Sequence, residues 1–464
     1  MRFCPISSIC LMGPMPMSDV TVYYEQRTVG TIEIFEDGPS FVYDPAWLTL
    51  RGAFPLSFQM PLSTKRVPPA IFLPWAANLL PEADNLRAIG LKLGAAPDDV
   101  IAILSEIGRD TAGALSIGRP GSPDATNWKV IRKKVDLERI INELPSKPFL
   151  VGEDGVSMSL AGVQTKMSIA LNDKGQLCIP VNGAPSTHIL KPDSPNLFGS
   201  VANEALCLTL AKMCGLSAPE ATTGRAGERT YLLITRYDRM QQNGKWRRLH
   251  QEDFCQALGR PPSAKYETSQ SGQRGPTLAD MFALTRNAMG AADVIRLLDH
   301  VLFNILTCNT DAHAKNYALM ISGRGFTLAP IYDVMCASVW PNVTRNLAQK
   351  IAGKNRGEHL KRRHWQRFAE DCSLNAPRLC ARIAELAGAI AANVELAADA
   401  VRQMPAGGHP MLEQCVTDIT ARARAIAAGL ADMEGINPPA AKRKAPAKKK
   451  APRKRAAAKK TAKK

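Results

Sequence analysis

The chain has 464 residues, of which 45% are hydrophobic and 22% are charged, as is ordinary for a globular protein of two or three domains. No apolar run approaches the roughly 20 residues that a membrane-spanning helix needs, and the eleven cysteines lack C-x-x-C spacing, which argues against a zinc site or a disulfide framework. The net charge is +17, but thirteen basic residues lie between positions 442 and 464, so the remainder carries only +4 and needs no acidic partner.

The N-terminal quarter of the chain predicts a small α/β unit. Residues 1–16 lack a signal-peptide pattern, so we expect them to be disordered or to precede the true start at Met17. Aromatic and β-branched residues predict strands at 20–24, 29–34, 41–43 and 114–117, with helices between them at 71–80, at 84–93 and after Asp99. We place this unit at 17–118 and a linker and connecting segment at 119–150.

Three features between residues 151 and 215 are typical of a phosphate site. The stretch Ser159–Lys166 is a small turn before a strand at 167–171. Its backbone N–H groups would cradle phosphates, although an ordinary hairpin turn is the commoner interpretation. Lys191 ends a strand, either as a phosphate ligand or as an exposed strand end. Glu204 begins a helix, where it either pairs with Lys191 or interacts with the helix dipole.

The middle of the chain predicts a hinge and a loop. The run Tyr231–Thr235 reads as a buried strand that leaves into a charged segment, and its backbone is placed to meet an adenine ring. Residues 263–277 are polar and rich in Gly and Ser, which predicts a mobile loop.

The stretch from Val294 to Asp333 combines a buried helix, a polar loop and a hairpin with strands at 317–321 and 326–331. Asp311 and Asn316 lie in the loop, five residues apart, and Asp333 follows the hairpin. Phosphoryl transfer from ATP needs a carboxylate that deprotonates the attacking hydroxyl, and an amide oxygen and a second carboxylate that hold Mg²⁺. Protein kinases share this spacing. Asp311 and Asn316 alone are more typical of turns and helix caps, but the helix, loop, hairpin and Asp333 together favour a kinase-like site.

Beyond Asp333 the chain predicts helices at about 364–404 and 411–433, then a basic tail at 436–464. The tail is rich in Lys, Ala and Pro and cannot form a core, so we expect it to be disordered. Its cations would bind DNA or RNA without sequence preference. The alternative is a solubilising tail with no specific partner.

Eight motifs follow one another along residues 20–433: Phe54–Leu62, Asn78–Glu82, Glu106–Asp110, Ser159–Gln164, Thr187–Lys191, Arg248–Gln256, Thr310–Asn316 and Ile331–Asp333. In type and order they resemble the HipA family of bacterial toxin kinases, the toxins of type II toxin–antitoxin pairs. The number and order of the matches make the resemblance specific. The basic tail is not part of the usual family pattern, and the family's DNA-binding helix-turn-helix domain is a separate protein.

The resemblance implies an α+β protein in which a small N-terminal α/β subdomain packs on a two-lobed core, residues 151–435, of the protein-kinase-like (phosphatidylinositol-kinase-like) type, with a mostly helical C-terminal part. It implies a cytoplasmic serine/threonine-protein kinase that uses ATP and Mg²⁺. A HipB-like helix-turn-helix antitoxin would restrain the kinase and connect it to DNA, with nucleoid association as a further expectation. Family substrates include aminoacyl-tRNA synthetases, whose inactivation promotes persistence.

The resemblance also implies roles for individual residues. Asp311 is the base, Asn316 and Asp333 bind Mg²⁺, and Ser159 is the autophosphorylated serine, whose modification expels the phosphate-binding loop. The expected ATP contacts, with Glu204 as partner of the lysine, are Ser159, Leu160, Ala161, Gly162, Val163, Gln164, Lys191, Leu233, Ile234, Thr235, Arg236, Tyr237, His313 and Lys315.

Two other functions stay open at this point. One is a small-molecule kinase of related fold, against which the N-terminal subdomain and the Ser159 loop argue. The other is a DNA-associated corepressor or scaffold that uses the tail and an antitoxin while the kinase is idle. The identity of a protein substrate leaves no short signature in the sequence.

Overall fold

The computed structural model describes residues 19–268 and 272–430; the expectations for 1–16 and 436–464 lie outside them. The described helices are α1 (Pro45–Thr49), α2 (Pro69–Ala77), α3 (Ala83–Leu93), α4 (Val100–Ile107), α5 (Lys134–Glu143), α6 (Ser200–Met213), α7 (Phe254–Ala257), α8 (Leu278–Ala288), α9 (Ala291–Leu306), α10 (Arg362–Asp371), α11 (Ala376–Arg402) and α12 (Met411–Ala428).

The described strands number eighteen, and all their pairings are antiparallel. They are β1 (Val20–Tyr24), β2 (Arg27–Phe35), β3 (Gly38–Tyr43), β4 (Arg66–Val67), β5 (Leu115–Ile117), β6 (Trp128–Val130), β7 (Met167–Leu171), β8 (Leu177–Pro180), β9 (His188–Pro192), β10 (Ala221–Ala226), β11 (Arg229–Thr235), β12 (Arg239–Gln242), β13 (Lys245–Arg248), β14 (His250–Asp253), β15 (Ala318–Ser322), β16 (Gly325–Leu328), β17 (Asn346–Ile351) and β18 (Lys354–Arg356).

The N-terminal sheet has the order β4-β3-β2-β1-β5. The predicted hairpin is confirmed, with Val20 opposite Ile32 across β1 and β2. Alternate residues of these strands, among them Val22 and Val29, are buried, as expected for a sheet with one face on a core. The predicted helices at 71–80 and 84–93 correspond to α2 and α3.

A second sheet, with the order β10-β11-β9-β7-β8-β6, forms the small lobe of the kinase-like core. The segment 119–150, expected as a connector, supplies the edge strand β6 and helix α5. Leu137 and Ile141 of α5 form a separate small core with Ile169 and Leu233 of the sheet. The sheet is therefore buried on both faces, because α6 packs on the opposite side.

The large lobe is mostly helical. The predicted buried helix is α9, and the predicted hairpin is β15 and β16, joined by β14 into a three-stranded sheet. The helix expected over 364–404 is two helices, α10 and α11. The chain turns between them because Ser373 has a φ of +52°, and the Asn375 side chain caps α11 by accepting from the Arg378 N–H.

One continuous apolar core joins the N-terminal sheet, α6 and the C-terminal helices, so that residues as distant as Val22 and Leu430 belong to the same cluster. The N-terminal unit is thus packed as part of the whole molecule. Among residues 19–268 and 272–430, no helix combines the length and the apolar character that crossing a bilayer requires.

Candidate active site

Lys191, at the end of β9, stands between two carboxylates. Its Nζ lies 2.7 Å from Glu204 Oε1 on α6 and 2.6 Å from Asp333 Oδ1, beyond β16. Glu204 lies beyond the first turn of α6, which begins at Ser200, so the structure forms the ion pair rather than the helix-dipole contact. The side chains of Lys191 and Glu204 are 7% and 1% exposed, and charges so deeply buried persist only when they are paired.

The charges of Lys191, Glu204 and Asp333 shift one another's pKa values. Burial opposes the charged form of Lys191, but the carboxylates of Asp333 and Glu204 outweigh it and raise the pKa of Lys191 above its usual value. Burial likewise opposes ionisation of Asp333, but the ammonium groups of Lys191 and Lys166 hold the pKa of Asp333 well below its usual range. In Glu204 burial prevails over the Lys191 charge and raises the pKa of Glu204.

Asp333 has a left-handed backbone conformation, with a φ of +58°, which residues other than Gly rarely adopt. Its carbonyl accepts a hydrogen bond from Asn309 Nδ2 at 3.2 Å. The next residue back, Tyr332, donates from its hydroxyl to the Lys315 carbonyl at 2.7 Å. These bonds fix the end of the hairpin against the loop that carries Asp311.

The Asp311 side chain lies in the cavity wall and is 61% exposed. Its Oδ1 accepts a hydrogen bond from the Tyr266 hydroxyl at 2.6 Å, and its carbonyl accepts one from Asn316 Nδ2 at 2.8 Å. The surrounding protein reduces hydration and raises the pKa of Asp311, with Asp333 adding to the rise, whereas the Tyr266 hydroxyl lowers it. A carboxylate with increased proton affinity suits general-base work.

His313 and Lys315 line the same cavity, but both side chains are engaged. The His313 ring packs edge-on against Tyr266, with centroids 5.1 Å apart, and burial together with the Lys265 charge lowers the pKa of His313 to about 3, so the ring is neutral. Lys315 Nζ donates to Asn78 Oδ1 at 2.6 Å and to Asp253 Oδ2 at 3.0 Å. Lys315 therefore links the catalytic loop to the N-terminal unit.

The predicted phosphate turn lies at the edge of the cavity, which Leu160, Ala161, Gly162, Val163 and Gln164 all line. Ser159 does not line it. Its side chain is fully buried, and its Oγ donates to the Leu79 carbonyl at 2.8 Å. The turn is thus anchored to the N-terminal unit through Ser159.

Lys166 is a cavity residue that the sequence motifs did not identify as a ligand. An added Cβ on Gly162, whose φ is +108°, would lie 2.8 Å from Lys166 Nζ, so the turn wraps closely over this ammonium group. Burial and the nearby Lys191 charge lower the pKa of Lys166 to about 8. Two ammonium groups therefore face the cavity near Asp333.

The predicted hinge faces the cavity through four of its five residues, Ile234, Thr235, Arg236 and Tyr237. Leu233 does not; it packs in the small core on the opposite face of the sheet. The Arg236 guanidinium points into the protein, where it donates to Asp238 Oδ2 at 2.7 Å and to the Thr111 carbonyl at 2.8 Å. Only the backbone of Arg236 is left for a ligand.

The cavity has a volume of about 1230 Å³, ample for a nucleotide. Besides the expected residues, it is lined by Glu82 of the N-terminal unit and by Lys265, which form an ion pair at 2.7 Å. Lys265 and Tyr266 fall in the stretch 263–277 that the sequence predicted as a mobile loop. Within the described part of that stretch, Lys265 lines the cavity and Tyr266 donates its hydrogen bond to the Asp311 carboxylate.

The oxygen donors fit a hard cation. Asn316 uses its Nδ2 in a hydrogen bond, which leaves its Oδ1 available, and the carboxylate of Asp333 lies in the same cavity. Among residues 19–268 and 272–430 there is no group of three or more His, Cys, Asp or Glu side chains able to hold a metal. Mg²⁺ uses one or two protein carboxylates and completes its shell with phosphates and water, so Asn316 and Asp333 are the residues that would hold it.

The fold and the site together define a two-lobed, kinase-like protein with a cavity between a six-stranded sheet and a helical lobe. Family models match residues 20–118 as a HipA N-terminal domain and residues 158–394 as a HipA-like C-terminal domain. The chain belongs to the HipA family.

Known proteins similar to this chain carry kinase names. It is 34% identical over 382 residues to "Putative kinase Y4mE" of Sinorhizobium fredii, covering 80% of this chain and 90% of that one. It is 31% identical over 316 residues to the serine/threonine-protein kinase toxin HipA of Shewanella oneidensis, an alignment that covers 65% of this chain and 71% of that protein. A chain in the solved complex of Shewanella oneidensis HipA, HipB and operator DNA has the same fold, with a TM-score of 0.76 over 87% of this chain and 96% of that one at 24% identity.

Proposed function

We propose that this chain transfers the γ-phosphoryl group of ATP to a serine or threonine hydroxyl of a protein. The observation that carries the proposal is the convergence of Lys191, Asp311, Asn316 and Asp333 on one cavity of about 1230 Å³. Phosphoryl transfer depends on positioning and charge stabilisation, and these side chains supply a phosphate-binding cation, a base and two oxygen donors.

Each residue has a defined task in this proposal. The ammonium groups of Lys191 and Lys166 bind the phosphates, and the backbone at Thr235–Tyr237 meets the adenine. Asp311 accepts the proton of the attacking hydroxyl, while the Tyr266 hydroxyl holds its carboxylate in place. Asn316 and Asp333 would hold Mg²⁺, which neutralises charge on the phosphates when it is bound.

Autophosphorylation of Ser159 would silence the kinase in this proposal. The Ser159 hydroxyl is buried and donates to the Leu79 carbonyl, a position that has no room for a phosphate. A phosphoserine carries close to two negative charges and would have to leave this position. The following residues, Leu160–Gln164, line the cavity and would leave with it.

The remaining parts of the proposal follow from family membership. The solved Shewanella oneidensis complex holds HipA together with HipB and operator DNA. By analogy, this chain would act in the cytoplasm, be restrained by a HipB-like antitoxin, and reach DNA through that partner. The acceptor is a protein, and aminoacyl-tRNA synthetases are the first candidates to test.

The test is phosphopeptide mapping after incubation with Mg-ATP, on the wild type, on Asp311→Asn and on Asp98→Asn as a control. The Asn side chain can still accept the Tyr266 hydrogen bond but cannot take a proton. We expect phosphate on Ser159 in the wild type and in the exposed-site control, and none in Asp311→Asn. Equal phosphorylation of Asp311→Asn, or a wild type that binds ATP and modifies no protein, would contradict the proposal.

A further inference from the structure

A second cavity, of about 560 Å³, meets the first one at the base. Asp311, Leu197 and Met335 line both cavities, whereas Tyr266 lines only the second. The carboxylate of Asp311 faces both sides, because its Oδ1 accepts from Tyr266 and its Oδ2 lies 4.0 Å from His313 Nε2, a residue of the first cavity. A group held in the second cavity therefore has direct access to the base.

The walls of this second cavity are tied directly to the catalytic loop. Strand β17 lies beside the base because the Ala348 N–H donates to the Thr310 carbonyl at 3.1 Å. The opposite wall is held by Trp340, whose Nε1 donates to the Phe198 carbonyl at 3.1 Å, next to Leu197. The cavity is thus a built groove, and its position relative to Asp311 is fixed by the fold.

The lining of the groove defines what it would bind. The lining is mixed: Leu197, Met335, Trp340, Val343 and Leu347 are among its apolar side chains, and most of the other residues are polar and uncharged. Among the described lining residues the only acid is Asp311 and the only cation is Lys350, which makes no ion pair with any other part of the described chain. Such a surface favours apolar side chains with an acidic neighbour and disfavours basic ones.

We infer that this groove binds the acceptor segment of the protein substrate, a short Ser- or Thr-containing peptide stretch with an apolar side chain against Val343 and Trp340 and an acidic side chain near Lys350. The inference rests on the proposed kinase function and adds the chemistry of the acceptor. A two-substrate phosphoryl transfer needs the acceptor hydroxyl at the base, and the groove is the cavity that reaches Asp311 without passing through the nucleotide site.

The test uses a peptide library with a central Ser and each flanking position fixed in turn as Leu, Glu or Lys. Four forms of the full-length chain are incubated with the library and Mg-ATP: the wild type, Lys350→Glu, Val343→Asp and Lys354→Glu. Lys354 lies on β18 of the same hairpin and does not line the groove, so it is the matched control. The affinity for Mg-ATP is measured by calorimetry on every variant.

We expect the wild type and Lys354→Glu to prefer Glu over Lys at one flanking position and Leu at another. Lys350→Glu should shift the first preference toward Lys by at least about fivefold, and Val343→Asp should abolish the second. Unchanged selectivity in both groove variants, or a wild type that hydrolyses ATP but phosphorylates no peptide of the library, would overturn the inference. Absence of ATP binding in the wild type would instead refute the kinase proposal beneath it.

Discussion

Asp110 is the residue whose charge should matter most to the stability of the molecule. Its carboxylate lies 2.8 Å from Arg239, 3.2 Å from Arg248 and 3.6 Å from Arg236, and no side chain in this group is more than 4% exposed. Among residues 19–268 and 272–430, the only other acid paired with these arginines is Asp238. Asp110→Asn keeps the size of the side chain but leaves three buried guanidinium groups with one carboxylate. Removing one partner of a buried ion pair costs about 3–5 kcal/mol, so we expect the unfolding free energy to fall by that amount.

The pH dependence of this loss gives a second readout. Burial opposes the charge of Asp110, but the three guanidinium groups outweigh it and hold the pKa of Asp110 far below its usual range. A carboxylate with a depressed pKa in the folded state stabilises fully above its unfolded pKa of about 4, and that contribution is lost as pH falls toward the folded-state pKa. The difference in unfolding free energy between wild type and Asp110→Asn should therefore be largest at pH 7 and become smaller as the pH falls below about 4.

The assay is urea unfolding between pH 3 and pH 7, with Asp98→Asn as an exposed control in the same N-terminal unit. We expect the control to change stability by less than about 0.5 kcal/mol. Arg248→Met in the Asp110→Asn background removes one surplus charge and should recover part of the loss. A loss below about 1 kcal/mol, or a difference that does not change with pH, would refute the reasoning.

Three further substitutions test the site itself. Glu204→Gln removes the acidic partner of Lys191, the proposed phosphate ligand, so calorimetry should show ATP affinity reduced about ten- to hundredfold; unchanged affinity would count against this role of the pair. Gly162→Ala strains a backbone at φ +108° and places a Cβ 2.8 Å from the Lys166 ammonium group, so ATP affinity should fall about tenfold. The control is Gly175→Ala, whose added Cβ meets nothing within 4 Å and should leave ATP affinity unchanged. Tyr266→Phe removes the hydrogen bond that lowers the pKa of Asp311, so the acid limb of the rate profile should move to higher pH; a shift to lower pH would contradict this.

The residues that the sequence identified are those whose placement is local. Asp311, Asn316 and Asp333 lie within one helix–loop–hairpin unit, and the course of the hairpin brings them close to one another. Lys191 and Glu204 are separated by a single connection between β9 and α6. For such residues, spacing along the chain determines spacing in the fold.

Two of the residues that the sequence missed, Lys265 and Tyr266, depend on contacts between distant segments. Lys265 and Tyr266 fall in a polar, Gly-rich stretch, and nothing in that stretch signals its contact with Glu82 or Asp311. Leu233 was misplaced for a different reason. Both faces of β11 are buried, one in each apolar core, so the run of apolar residues carries no alternation that distinguishes the cavity face.

The N-terminal unit contributes to the candidate active site, because its residues contact several of the site's charged groups. Asn78 positions the Lys315 ammonium, Glu82 pairs with Lys265, and Asp110 neutralises the arginine at the hinge. The Ser159 hydroxyl donates to the Leu79 carbonyl of the same unit. Since these contacts reach the loop that carries Asp311, the cavity wall, the predicted hinge and the turn after Ser159, a shift of the N-terminal unit would disturb all four at once.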